Sequence, residues 1–369
     1  MRINLILIPF VIFLGLLLSN NDNAKNRKLY IVFCSIVLIL VASLRSPEWM
    51  TDTYRIDTLN YQGYFENTFD LGWADIYQQF SLRYYIGEGD FDIGFVVINK
   101  LISLITHEFW QYSLIVDLLF FIPFGMILYR YSTSIRQIMF AYVFYISLVQ
   151  IFLLGGSRQI FSLGFDLMAL LAIFDKKRLM AILFFVFGIT IHFSSLIFAL
   201  PLIVIWLDVK PDFLKFIHAL CFLLFPMVLM FPNEIIQFMG DMVGVEKYAN
   251  YGSKVIQGGA ETFIFMIELL SLFFLFAIKR KDMKDNRILR NFYVMIPFFT
   301  IFAPLVISNG SMIRISLYYH LFITLLVPYA IDCSFSKQSR SIGYVVAIAS
   351  LSFLALMGGG IRYYFFWQV

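Results

Sequence analysis

The chain has 369 residues, of which 60% are hydrophobic, 19% aromatic and only 14% charged. A soluble globular chain is about 45–50% apolar and about 25% charged, and one of this length needs a polar shell that this composition cannot supply. These figures exclude a soluble enzyme, a DNA-binding protein and a disordered chain, while the formal charge of +4 says little until the charges are placed. An all-α polytopic membrane protein is expected, organised as a single transmembrane domain over residues 1–369.

A membrane helix needs about 17–20 mostly apolar residues. In chain order the candidates are 3–18, 29–44, 112–129, 137–154, 160–174, 214–232, 263–278, 291–308, 315–331 and 342–360. The first has only Arg2 before its apolar run and no small-x-small pattern after Leu18, so it reads as a helix rather than a signal peptide. Segment 93–106 is short and carries Asn99 and Lys100. Segment 179–207 is too long for one ordinary pass and contains His192, Ser194 and Ser195. Cys34, Cys221 and Cys333 lie in or beside apolar segments at no metal-ligand spacing, so neither a disulfide framework nor a zinc site is expected.

Short basic loops stay in the cytoplasm. Five clusters hold more than half of the 28 Lys and Arg: Lys25/Arg27/Lys28, Arg130/Arg136, Lys176/Lys177/Arg178, the run from Lys279 to Arg290, and Lys337/Arg340. With all five inside, an even number of passes must separate each neighbouring pair. That parity makes 93–106 a re-entrant or surface helix and splits 179–207 into two short passes around His192, for about 11–12 transmembrane helices. Outside then fall loops 45–111 and 233–262, the turn 155–159, the His192 region and 309–314. Loop 45–111 is rich in acids, among them Glu48, Asp52, Asp57, Glu88, Asp90 and Asp92. An enzyme that works on the outer face would look like this.

Ionisable groups near membrane segments are costly and are functional candidates by default. Arg158, in Gly155-Gly156-Ser157-Arg158-Gln159, is an isolated outer arginine after two glycines; snorkelling to headgroups is the bland reading. Arg314, beside the turn Asn309-Gly310-Ser311, has the same character and the same alternative. Two such guanidiniums suit a diphosphate, whose oxygens they match bidentately. His192 is the expected general base, as an imidazole titrates near neutrality, although Thr190 or Ser195 could instead satisfy it as a structural residue. His107, His218 and His320 compete for the role. Asp52, Tyr54, Asp57, Tyr61 and Tyr64 mix carboxylates with rings, as sugar recognition does and as an interfacial aromatic belt also does; composition alone favours the belt. Asp90-Phe91-Asp92 could hold a divalent metal, weakly indicated by two acids. No phosphate-binding glycine motif occurs.

Thr51-Asp52-Thr53-Tyr54, with the later tyrosines, resembles the Gly-Thr-Asp-Tyr-x-x-Tyr segment of EpsG-type membrane proteins. Gly87-Glu88-Gly89-Asp90-Phe91-Asp92-Ile93-Gly94-Phe95, followed by Ile98-Asn99-Lys100, resembles their Glu-Pro-Gly-Phe-x-x-x-Asn segment, without the Pro after Glu88. Arg158-Gln159, then Lys176-Lys177 and His192-Phe193-Ser194, is similar to the family's Arg-Gln … Lys … His-x-Ser series. Order and spacing match from about Asp52 to Ser195. The resemblance implies a Wzy-like polysaccharide polymerase of GT-C-like class in the bacterial cytoplasmic membrane. Such a protein joins polyprenyl-pyrophosphate-linked oligosaccharide repeats on the outer face without nucleotide, metal or other cofactor, and with a chain-length regulator and a flippase as possible partners.

The expected mechanism follows. An acceptor sugar hydroxyl attacks the donor's anomeric carbon and the lipid diphosphate leaves. Arg158 and Arg314 stabilise its charge and His192 takes the proton, with Glu88 as fallback base. Asp52, Tyr54, Asp57, Tyr61, Gln159 and Ser194 position the substrates. A ligase of the same chemistry and a flippase for lipid-linked sugar are the alternatives.

Overall fold

In the computed structural model the described residues are 3–46, 58–86, 92–150, 156–243, 260–308, 312–357 and 363–368. They are helical, and the strand-like pairing among them is an isolated bridge between Arg45 and Phe365. The membrane domain expected over 1–369 is packed as two compact units, Met1–Ala199 with Val346–Val369, and Leu200–Val345.

The first unit begins with α1 (Asn4–Ser19) and α2 (Ala24–Ser43), the latter capped by Asn23, whose side chain accepts from the Asn26 N–H at 2.9 Å. Helix α2 thus starts before the apolar run expected at 29–44, because a good cap carries the helix through Lys25, Arg27 and Lys28. Three shorter helices follow, α3 (Thr58–Glu66), α4 (Trp73–Ile86) and α5 (Ile93–Ser103). Helix α5 has 11 residues, about 16 Å at 1.5 Å per residue, half of what a bilayer core needs. The re-entrant or surface assignment of 93–106 rests on that shortness.

Helix α6 (Phe109–Tyr131) packs against both α2 and α8 (Ser157–Phe174). Helix α7 (Ile135–Phe144) continues into a π-helical turn, Tyr145–Val149. Stacked Phe120, Phe124 and Tyr145 form the aromatic centre of this packing. The Tyr142 hydroxyl donates to the Ile31 carbonyl at 3.1 Å, so Ser35 must donate to Tyr142 at 2.7 Å. Helix α9 (Arg178–Ile191) packs along α8 and stops at His192, where the backbone turns extended before a 3₁₀ turn, Phe193–Phe198, and α10 (Ala199–Trp206). The break expected around His192 is present.

In the second unit α11 (Pro211–Met230), with Pro211 at its first position, and α13 (Ala260–Ala277) pack against α16 (Met295–Phe302), which follows α15 (Arg287–Tyr293); α12 (Pro232–Val243) and α14 (Arg280–Asp285) complete this half. One hydrogen-bonded chain pins these helices. The Thr300 hydroxyl donates to the Ile296 carbonyl at 2.8 Å, so Ser271 must donate to Thr300 at 2.7 Å. Ser271 has then spent its proton, so His218 Nε2 donates to it at 2.9 Å and Nδ1 accepts from Tyr293 at 2.5 Å. The expected span 315–331 is broken: α17 (Ile313–His320) and α18 (Ile323–Ser334) meet at 49°. Pro328 cannot donate to the Thr324 carbonyl, and Thr324 turns its own hydroxyl back to Leu321. Helix α19 (Arg340–Met357) has its residues up to Val345 in the second unit and those from Val346 in the first.

Five helices among the described residues are long and apolar enough to cross a membrane, or six if the bent pair is one span, and shorter apolar helices include α1, α9 and α19. Phe13, Phe187, Leu223 and Phe276 are each more than half exposed. A soluble helix would bury such faces; lipid accepts them. The protein is an all-α, multi-pass membrane protein.

Candidate active site

Four segments of the first unit meet: α3, the start of α5, the start of α8 and the end of α9. Asp92 stands at the N-cap of α5, where an aspartate ordinarily accepts from the helix's own N–H groups. Here its side chain makes no such bond. It reaches outward instead. Oδ2 accepts from Arg158 Nη1 at 2.7 Å, Oδ1 accepts from the Phe193 N–H at 3.1 Å, and His192 Nδ1 lies 3.5 Å from Oδ2. That last distance is long for a hydrogen bond but within ion-pair reach. Burial pushes the Asp92 carboxyl up, yet His192, the Arg158 charge and the Phe193 N–H together outweigh it and hold the group below the ordinary carboxylate value.

Arg158 sits in the first turn of α8, where a cation works against the helix dipole by about 0.3–1 kcal/mol. Helix stability does not account for its place. Its guanidinium carbon lies 5.9 Å from the Tyr61 ring centre, 5.5 Å from Tyr64 and 5.6 Å from Phe95. Tyr61 and Tyr64 come three residues apart on α3, so both rings face the same way; Phe95 joins from α5. The result is a three-sided aromatic box around a guanidinium whose side chain is 15% exposed.

Two glycines make this approach possible. A Cβ on Gly94 would fall 2.7 Å from the backbone carbonyl carbon of Thr190, so only glycine lets α5 lie against the end of α9 and bring Asp92 to His192. A Cβ on Gly188 would stand 2.9 Å from Asp166 Oδ1. Asp166, fully buried on α8, accepts the Ser195 hydroxyl with both oxygens at 2.7 Å, and the Ser195 N–H donates to the His192 carbonyl at 2.9 Å. The turn that carries His192 is therefore held from beneath.

Of the residues singled out from sequence, Arg158, His192 and Tyr61 meet here; Gln159 is buried in the same first turn of α8 and Ser194 follows His192. Arg314 lies at the start of α17, in the second unit. Asp52, Tyr54, Asp57 and Glu88, like Asp90, fall outside the described residues. His107 packs its ring on Phe69, His218 is spent in the second unit's hydrogen-bonded chain, and His320 sits between Phe263 and Phe299. The partners of His218 are neutral hydroxyls and aromatic rings flank the other two, whereas His192 lies within ion-pair reach of a carboxylate. Sequence reasoning missed Asp92 as a partner of Arg158 and His192, because it weighed that residue only as half of a metal-binding pair. Among the described residues no group of three His, Cys, Asp or Glu is placed to hold a metal ion. Tyr64, singled out with Tyr61 as a ring for sugars, stands in the box too, while Phe95 had no role assigned from sequence.

The model of the EpsG family matches residues 49–363. No curated protein and no solved structure matches the chain.

Proposed function

The chain belongs to the EpsG family, which suggests a polysaccharide-polymerase-like role, and from that premise we propose that it polymerises polyprenyl-pyrophosphate-linked oligosaccharide repeats on the outer face of the cytoplasmic membrane. The single observation that carries this reading is the cluster of Asp92, Arg158 and His192, with Arg158 in an aromatic box: a cation and a base candidate held together by one carboxylate.

The chemistry is a single displacement. His192 turns Nδ1 to Asp92, which leaves Nε2 to take the proton of the attacking sugar hydroxyl; such assistance is worth about 10²–10⁴-fold. The hydroxyl oxygen forms the new bond to the donor's anomeric carbon, the old bond to the diphosphate oxygen breaks, and its electron pair leaves with the lipid diphosphate. Arg158 stabilises the charge that develops there, a preorganised role, with Arg314 as the second cation of the proposal. Tyr61 and Tyr64 offer ring faces to the sugars. Asp52, Tyr54, Asp57, Gln159 and Ser194 complete the substrate contacts and Glu88 is the reserve base. The anomeric configuration inverts.

Reconstitution of the purified protein with a lipid-linked repeat tests this. A ladder of products supports a polymerase, one product means a ligase, and lipid movement without new bonds means a flippase. Arg158→Lys keeps the charge but not the planar fork, and should lower turnover by at least about tenfold, the equivalent of one charged hydrogen bond. An unchanged ladder from Arg158→Ala overturns the role given to Arg158.

A further inference from the structure

A second buried arginine lies in the same unit. Arg45 follows α2 directly, and its place is set by the C-terminal tail: the Ser46 N–H donates to the Tyr364 carbonyl and the Phe366 N–H to the Leu44 carbonyl, each at 2.9 Å. The side chain is 4% exposed. Its Nη1 donates to the Ala42 carbonyl at 3.0 Å, while its Nε is buried with no hydrogen-bond partner among the described residues. Asp117, on α6, is the carboxylate in its electrostatic reach, and Oδ2 of that carboxylate accepts from Ser43 at 3.1 Å. Burial lowers the Arg45 guanidinium from its ordinary value, against the pull of Asp117.

Tyr112, also on α6, lies within electrostatic reach of both arginines. Its ring is fully buried, stacked on Phe65 at 4.5 Å and on Phe109 at 5.5 Å. Its hydroxyl has no hydrogen-bond partner among the described residues, yet lies within electrostatic reach of Tyr61, Arg158, Asp117 and Arg45. A buried hydroxyl and a buried guanidinium N–H without acceptors are each costly. Both are donors, and what they lack is acceptor oxygen.

We propose that Arg45 and Tyr112 extend the Arg158 site inward, and that the three together bind the diphosphate of a polyprenyl-linked substrate. The inference rests on the reading above and deepens it: Arg158 takes one end of the anion, while Arg45 and the Tyr112 hydroxyl take oxygens at the other. A diphosphate carries oxygens at both of its ends and a monophosphate at one, so a monophosphate gains less.

Tyr112→Phe is the sharpest test, because a hydroxyl with no partner among the described residues has no bond there to lose from the fold, and its loss is felt by a ligand. The full-length protein in lipid nanodiscs is titrated with a polyprenyl diphosphate lacking sugar, and with a monophosphate of the same chain length. Tyr112→Phe should bind the diphosphate about 10-fold more weakly at unchanged thermal stability, and Arg45→Lys about 10–100-fold more weakly, from the usual worth of a hydrogen bond to a charged group. Monophosphate binding should change by less. Equal diphosphate affinity in Tyr112→Phe and wild type overturns the proposal, and so does a lowered melting temperature of Tyr112→Phe, which would make the hydroxyl structural. If Arg45→Lys fails to fold, Tyr112→Phe alone decides. Polymer formation with an unaltered donor KM in Tyr112→Phe sinks the proposal and spares the polymerase reading. Weakened diphosphate binding in a protein that makes no polymer does the reverse.

Discussion

Replacing Asp92 by Asn keeps the shape of the side chain and removes its charge. The carboxylate accepts from Arg158 at 2.7 Å and from the Phe193 N–H at 3.1 Å, and faces His192 at 3.5 Å, with the Asp92 and Arg158 side chains only 10% and 15% exposed. An amide oxygen can still accept from Phe193, so the loss concentrates on the charged bond to Arg158, about 1.5–3 kcal/mol of stability. The kinetic effect should be separable from this. Without a carboxylate at Nδ1 the imidazole is free to put its proton on Nε2, where it cannot accept one. Turnover should then fall toward the limit of about 10²–10⁴-fold that general-base assistance supplies. Arg158, relieved of its counter-ion, should hold the anionic donor at least as well, so KM should not rise. The assay is initial-rate product formation in proteoliposomes, with kcat and KM for the lipid-linked donor measured on protein checked for folding. A raised KM with unchanged kcat would refute the reasoning, because Asp92 would then be contacting substrate rather than orienting His192.

Gly94→Ala forces a Cβ to within 2.7 Å of the Thr190 backbone, so it should cost about 1–3 kcal/mol and lower turnover by separating Asp92 from His192; Thr190→Ala should not rescue it, and a full rescue would show that the side chain alone is the obstacle. Ser271 and Tyr293 lose their shared partner in His218→Ala, which should lower thermal stability by about 1–3 kcal/mol for each buried group left unsatisfied, with turnover per folded molecule unchanged. The Asp92 carboxyl is held below its ordinary value of 3.8, so its stabilisation is complete above that value and lost only as pH falls through the lower folded-state value. In acid titrations followed by unfolding, the stability gap between wild type and Asp92→Asn should stay constant down to about pH 4 and close below it; a gap that closes near neutrality would reverse the sign of the shift.

The helical class, the break at His192 and the isolation of Arg158 were legible in the sequence because each rests on local composition. Hydropathy marks the apolar helices, and a lone arginine after two glycines at the start of an apolar run goes against both the positive-inside bias and the helix dipole. Asp92 was not legible in that way. Asp90-Phe91-Asp92 reads as a metal pair, a reading that treats only neighbours in sequence. Its true partners lie 66 and 101 residues away, at Arg158 and at the backbone of Phe193. The clue to them was a residue that carries no chemistry at all. Gly94, two positions after Asp92, is in the first turn of α5, where glycine is no helix former, and another backbone passes close to it. The glycine that weakens α5 is thus what lets α9 come close enough for one carboxylate to serve both Arg158 and His192. A glycine in the first turn of a helix, two residues after an acid, would have pointed to the site before any coordinate did.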